Sequence, residues 1–241
     1  MYKQFTLLAL FPLCVGMASA APIACPTGTV QDYTTTVNTA GGCIEDGLLF
    51  SQFQYLSSSS GTGLALPATA VALAPLVNAG GAGFGFQISG GFAAGANSVS
   101  DGILQYRVAT TNMLPLLSGL SLSFNGTFTG PGIAGVSELY CPGGTAVPPA
   151  AGCTGGLSDL FVQASGAITL LQTSATFADV NSLTVSKDIQ VNGGTSGSAT
   201  ISSVTNQFQQ ASPVPEPSAF LLMGFGFAGL ALLRPRYLLR P

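Results

Sequence analysis

Seven carboxylates, Glu45, Asp46, Asp101, Glu138, Asp159, Asp179 and Asp188, are the side chains of this chain best suited to acid-base work, because it contains no histidine. That absence removes the commonest general base and with it Ser-His-Asp and Cys-His machinery. A pair of these acids could cleave a glycosidic bond if the fold held their carboxyl groups roughly 5 to 10 Å apart. The sequence shows no such long-range pairing, and Glu45 and Asp46, as neighbours, would point to opposite sides of a strand. All seven read as solvated loop or edge acids. Gly81-x-Gly83-x-Gly85 lacks the spacing, lysine and following helix of a phosphate loop and reads as a turn opening a strand with Phe84 and Phe86. No D-x-D-x-D-G loop is present for calcium, and Asn125-Gly126-Thr127 reads as a turn. Tyr33, Tyr55, Tyr106 and Tyr140 are scattered, there is no tryptophan, and each reads as core packing or an exposed singleton. No catalytic residue, metal or cofactor is expected.

Both ends of the chain carry signals of a different kind. Lys3, the apolar stretch from Phe5 to Met17 and the Ala18-Ser19-Ala20 box before Ala21 form a secretory signal peptide, to be handled by the Sec translocon and signal peptidase. Near the other end, Pro215 and Pro217 hold the backbone around Glu216 extended and accessible. From Ala219 to Leu233 the chain is uncharged; as a helix it spans roughly 22 Å against a hydrocarbon core of about 30 Å. Arg234, Arg236 and Arg240 follow it, and basic residues stay cytoplasmic.

This tripartite tail resembles the PEP-CTERM sorting signal of Gram-negative bacteria. The resemblance implies that Pro215, Glu216 and Pro217 are recognised by exosortase, an integral-membrane cysteine enzyme, and that the protein reaches the cell surface or extracellular matrix after transient membrane anchoring. It also implies a setting of exopolysaccharide production or biofilm. The basic end departs from the usual compact arginine run, since Pro235 interrupts it and Tyr237, Leu238 and Leu239 follow. The block Ala178 to Ile189, together with Gly197 to Ser202, is similar to the bodies of many short PEP-CTERM proteins.

Between these signals the composition is unusual. Charged residues make up 6% of the chain, against about 25% in ordinary soluble proteins. Arg107 and Lys187 are the body's only basic residues, which leaves no electrostatic footprint for nucleic acid. Its polar surface must come from Ser, Thr, Asn and Gln, a composition suited to a hydrated polysaccharide. With Cys14 in the signal segment, Cys25, Cys43, Cys141 and Cys153 remain, and three disulfide connectivities are possible. Pairing Cys25 with Cys43 and Cys141 with Cys153 is favoured because each closes a short loop, worth about 3 kcal/mol through restriction of the unfolded chain.

Period-two segments dominate the body: Ile103 to Val108, Leu120 to Phe128, Ile168 to Phe177 and Leu183 to Val191, with weaker candidates at Leu48 to Leu56, Val71 to Val77, Gly83 to Ile88, Leu157 to Val162 and Ser198 to Phe208. Lys187 interrupts an apolar stripe and is expected to snorkel at a sheet edge. No helix is expected. Ser57 to Gly63 and Gly90 to Gly95 read as turn or loop segments, and Asn192-Gly193-Gly194 as a hairpin turn. The predicted architecture is an all-β sandwich of jelly-roll or immunoglobulin-like character over residues 21–208. A signal helix (1–20) precedes it; a linker with the Pro-Glu-Pro motif (209–217) and a short transmembrane helix with basic tail (218–241) follow. The function predicted is that of a non-enzymatic surface or matrix protein, with a carbohydrate-binding module or a carboxylate-dependent glycan hydrolase as alternatives.

Overall fold

The computed structural model describes residues 20–76, 83–112, 115–148, 153 and 156–211. The signal segment, the Pro-Glu-Pro motif, the apolar run and the terminal arginines lie outside these residues, apart from Ala20 and Ala21, which are exposed.

Fourteen strands are described: β1 (Ile23–Ala24), β2 (Gly28–Thr29), β3 (Cys43–Glu45), β4 (Leu48–Ser60), β5 (Ala72–Leu76), β6 (Phe84–Ala94), β7 (Val99–Thr110), β8 (Leu117–Thr129), β9 (Ile133–Pro142), β10 (Ser158–Ser165), β11 (Thr169–Leu170), β12 (Gln172–Val180), β13 (Ser182–Asn192) and β14 (Ser198–Gln210). They form two sheets, in the orders β1-β3-β4-β7-β13-β9-β10-β11 and β12-β8-β14-β6-β5-β2. All pairings are antiparallel except β1 with β3. From β7 onwards the chain crosses repeatedly between sheets, so the predicted β-sandwich is the architecture found.

Alternation sets the two faces of each strand. On β13, Leu183, Val185, Lys187, Ile189 and Val191 are fully buried, while Gln190 is exposed. Facing them across the sandwich, β14 contributes Val204, Asn206 and Phe208, and β8 contributes Leu120 and Leu122. Each large apolar side chain buried this way contributes about 1.5–3 kcal/mol. On β4 the inward set changes from Leu48 and Phe50 to Phe53, and a bulge between Ser51 and Gln54 supplies the extra residue. Gln52, at its apex, takes φ 59°, a conformation that side chains resist.

Among the described residues, two helical additions lie outside the sequence reading: a single 3-10 turn at Ala68–Ala70 and a longer segment from Val30. Val30–Asp32 is α-helical and Tyr33–Val37 continues as a π-helix. Thr29 caps the start: its hydroxyl oxygen accepts from the Asp32 N–H, and its own N–H donates to Asp32 Oδ2 at 2.7 Å. Tyr33 is buried, packs edge-on against Phe53 at 4.9 Å and Phe86 at 5.4 Å, and donates its hydroxyl proton to the Pro26 carbonyl. The Cys25–Cys43 disulfide ties the end of β1 to β3, and Cys141–Cys153 closes the loop after β9, both as favoured from the sequence.

Several local readings are corrected. Ser57–Ser60 continue β4, and Gly90 and Gly91 lie within β6, because pairing with β7 and β14 overrides their loop-like composition. Asn125-Gly126-Thr127 is strand, paired with β14. Asn192 ends β13, and the glycines after it carry the chain to the other sheet, so they do not close a hairpin. Asp46 lies in the β3–β4 turn with φ 46°, not on a strand beside Glu45.

Candidate functional site

Two clusters of polar groups flank the same strand. Lys187 and Asp188 are consecutive on β13, so one enters the core and the other faces out.

On the inner side, Lys187 lies opposite Glu138 of β9, and its Nζ donates to Glu138 Oε2 at 2.5 Å. Both side chains are fully buried. From the facing sheet, Asn206 Nδ2 reaches both Glu138 oxygens at 3.1 Å and donates to the Ser121 carbonyl at 3.0 Å. The Tyr106 hydroxyl donates to Asn206 Oδ1 at 2.5 Å, and its ring lies 5.9 Å below the lysine nitrogen. Phe50, Phe53, Phe86 and Phe208 surround Tyr106. Gly85 lets β6 come close at this level, since a Cβ there would collide with the Asn206 carbonyl oxygen.

The low dielectric of this interior disfavours charge on either partner. Burial raises the Glu138 pKa, opposed by the Lys187 charge and by hydrogen bonds from Lys187 and Asn206. Burial lowers that of Lys187 to about 8, opposed by Glu138. Tyr106 is held protonated by burial and by the adjacent Glu138. Two sequence expectations are thus overturned. Lys187 does not snorkel at an edge, because β13 is a central strand between β7 and β9, and Glu138 is no solvated acid, because it points into the sandwich to meet that lysine.

On the outer side, Asp188 comes within hydrogen-bond reach of Asp101 of β7, and Ser58 donates to Asp101 Oδ2 at 3.2 Å. Burial, and then the Asp101 hydrogen bond and charge, raise the Asp188 pKa to about 7. One oxygen of each aspartate is buried without a partner among the described residues. The register sets Gln190 opposite Asp101 and Gly135, Gly135 opposite Gln163, and Ser137 opposite both Asp188 and Phe161. Asp188, Gln190, Gly135, Ser137, Phe161 and Gln163, with Ile133, line an open groove of about 110 Å³ over β13, β9 and β10. Phe161 is 41% exposed, whereas Tyr33, Tyr106 and Tyr140 are buried. Further along the face, Arg107 borders a second hollow of about 450 Å³ with Asn38, Gly41, Leu49, Ser51 and Gln52.

Of the other predicted acids, Glu45 is half-buried with its pKa raised by burial and by Asp46, and Asp159 and Asp179 are exposed. The structure brings none of the three to the groove. No group of three potential metal ligands occurs among the described residues, and no helix among them is long and apolar enough to cross a membrane.

An all-β sandwich with two disulfides is the class of protein defined by these features. Residues 213–236 match the family described as the PEP-CTERM protein-sorting motif. This segment therefore carries a PEP-CTERM protein-sorting motif, which implies export and processing by exosortase. No curated protein matches it in sequence. Among solved structures it is similar to TmCBM61, determined in complex with beta-1,4-galactotriose, at 10% identity, covering 74% of this chain and 98% of that one with a TM-score of 0.33. It is also similar to the Trichoderma harzianum endoglucanase 3 from family GH12, at 12% identity, covering 69% and 100% with a TM-score of 0.23. Neither likeness bears on what this chain binds, and the fold is read from its own sheets.

Proposed function

We propose that this is a non-enzymatic protein of the cell surface or extracellular matrix, held transiently in the inner membrane by its C-terminal segment. The observation that carries this reading is the sorting-motif match over residues 213–236. In it Pro215, Glu216 and Pro217 form the recognition element, residues 219–233 the membrane helix, and Arg234, Arg236 and Arg240 the cytoplasmic stop. Signal peptidase acts after Ala20.

Intact mass and fractionation in the native host, with and without the sorting enzyme, test this. Loss of residues 1–20 and of the tail, with release from the membrane only when the enzyme is present, is the expected result. An intact tail retained in the membrane in both strains would overturn it.

A second reading, that the body binds exopolysaccharide, rests on the groove at Phe161. An exposed ring offers an apolar platform to a sugar face, and Gln163, Gln190 and Ser137 offer paired donors and acceptors to hydroxyls. Affinity electrophoresis on neutral and acidic polysaccharides should show retardation that Phe161→Ala abolishes; equal mobility of both proteins in every gel would rule the groove out.

A further inference from the structure

We infer that Lys187 and Asn206 form an intramolecular amide crosslink between the two sheets, with Glu138 as proton carrier and Tyr106 as oxyanion donor. The inference stands on the interior cluster alone and is independent of the sorting and glycan readings.

The arrangement supplies each role a transamidation needs. Lys187 Nζ is the nucleophile, and it shares Glu138 Oε2 with the amide nitrogen of Asn206, at 2.5 and 3.1 Å. An ammonium cannot attack, so its proton must first go to a base, and Glu138 is in direct contact to take it. Burial assists the same transfer, since it lowers the lysine pKa and raises that of the acid. The amine lone pair then adds to Cγ of Asn206 and the carbonyl electrons move onto Oδ1, where the Tyr106 hydroxyl already donates at 2.5 Å. Glu138 delivers its proton to Nδ2, the atom it already contacts, and takes the second proton from Nζ. As the carbonyl re-forms, the Cγ–Nδ2 bond breaks and ammonia leaves. One Nζ–Cγ bond is made, one Cγ–Nδ2 bond is lost, Glu138 ends protonated, and no oxidant, metal or cofactor takes part.

Position favours the reaction further. All four side chains are fully buried, so water does not compete for the amide carbon. They are fixed on the strands β13, β9, β14 and β7, which holds nucleophile and amide together at high effective concentration. A buried salt bridge would by itself be weak evidence for anything but structure. What separates this one is the primary amide seated on the same carboxylate and the hydroxyl aimed at that amide's oxygen.

The test is the mass of the full-length chain after folding, followed by tryptic digestion of the reduced, unfolded protein. After reduction of the two disulfides, the expected mass is lower than the sequence requires by one ammonia. Trypsin should cut after Arg107 and not after Lys187, and fragmentation should show a branch joining Lys187 to Asn206. Glu138→Gln, which retains size and hydrogen bonding but cannot carry the proton, should restore the unshifted mass and cleavage after Lys187. A wild-type chain of unshifted mass cleaved after Lys187 would overturn the inference whether or not the variant folds. An ammonia loss mapped to any other residue would do the same, and a link that persists in Glu138→Gln would overturn the role given to Glu138.

Discussion

The two faces of β13 put adjacent residues into opposite regimes. On the inner face, Lys187 meets an acid of opposite charge where water is absent, and burial pushes both towards neutrality. On the outer face, Asp188 meets another acid at half-burial, and only one of the two needs to hold a proton. The difference teaches that in a charge-poor chain the environment of a strand face, more than residue type, decides what an ionisable group does.

The comparison is broken most severely from inside. Glu138→Ala leaves Lys187 buried without its counter-ion, and chemical denaturation should show a loss of about 3–5 kcal/mol. Asp188→Asn on the outer face removes a charge that burial already disfavours and should cost nothing measurable in the same experiment. Next in size are the covalent ties beside the sandwich. The paired change Cys25→Ser with Cys43→Ser opens a loop with a sequence separation of 18 residues and should lower stability by about 3 kcal/mol. If the inner crosslink also restrains the sheets, this loss should grow in the Glu138→Gln background. Smaller still, Gln52→Gly should raise stability by up to about 1 kcal/mol by relieving the positive φ at the β4 bulge.

The smallest effect sharpens the outer half of the comparison through pH. Asp188 has a folded-state pKa near 7 against an ordinary value of 3.8, so its protonated form is the one the fold prefers. Its stabilising contribution is complete below the unfolded value and is lost as pH rises through about 7. Asp188→Asn should therefore flatten part of the decline in stability between these pH values. An unchanged slope would show that burial does not raise the Asp188 pKa.

Much of the sandwich was legible in local sequence. The alternation of Leu183 to Val191 placed β13 correctly, and cysteine spacing gave both disulfides. What local pattern lacks is neighbour order. Lys187 looked like an edge residue because nothing between residues 183 and 191 says that β7 and β9 lie on either side. The same gap hid both clusters: Glu138, Lys187 and Asn206 come from three strands, and Asp101 meets Asp188 only through the β7–β13 register. The helix at Val30 did leave a signal in Thr29 and Asp32, a capping box three residues apart, but its short length gave no period to find.

The place of β14 has a mechanical consequence. The chain passes from Gln210 into the sorting motif with only a few residues between, and β14 lies between β8 and β6 with both its edges bonded. Drag on a body tethered by its tail would pull β14 along its own axis, across hydrogen bonds that run perpendicular to the strand. Such a ladder yields in shear, with its rungs loaded together, whereas a strand peeled from a sheet edge gives way one rung at a time.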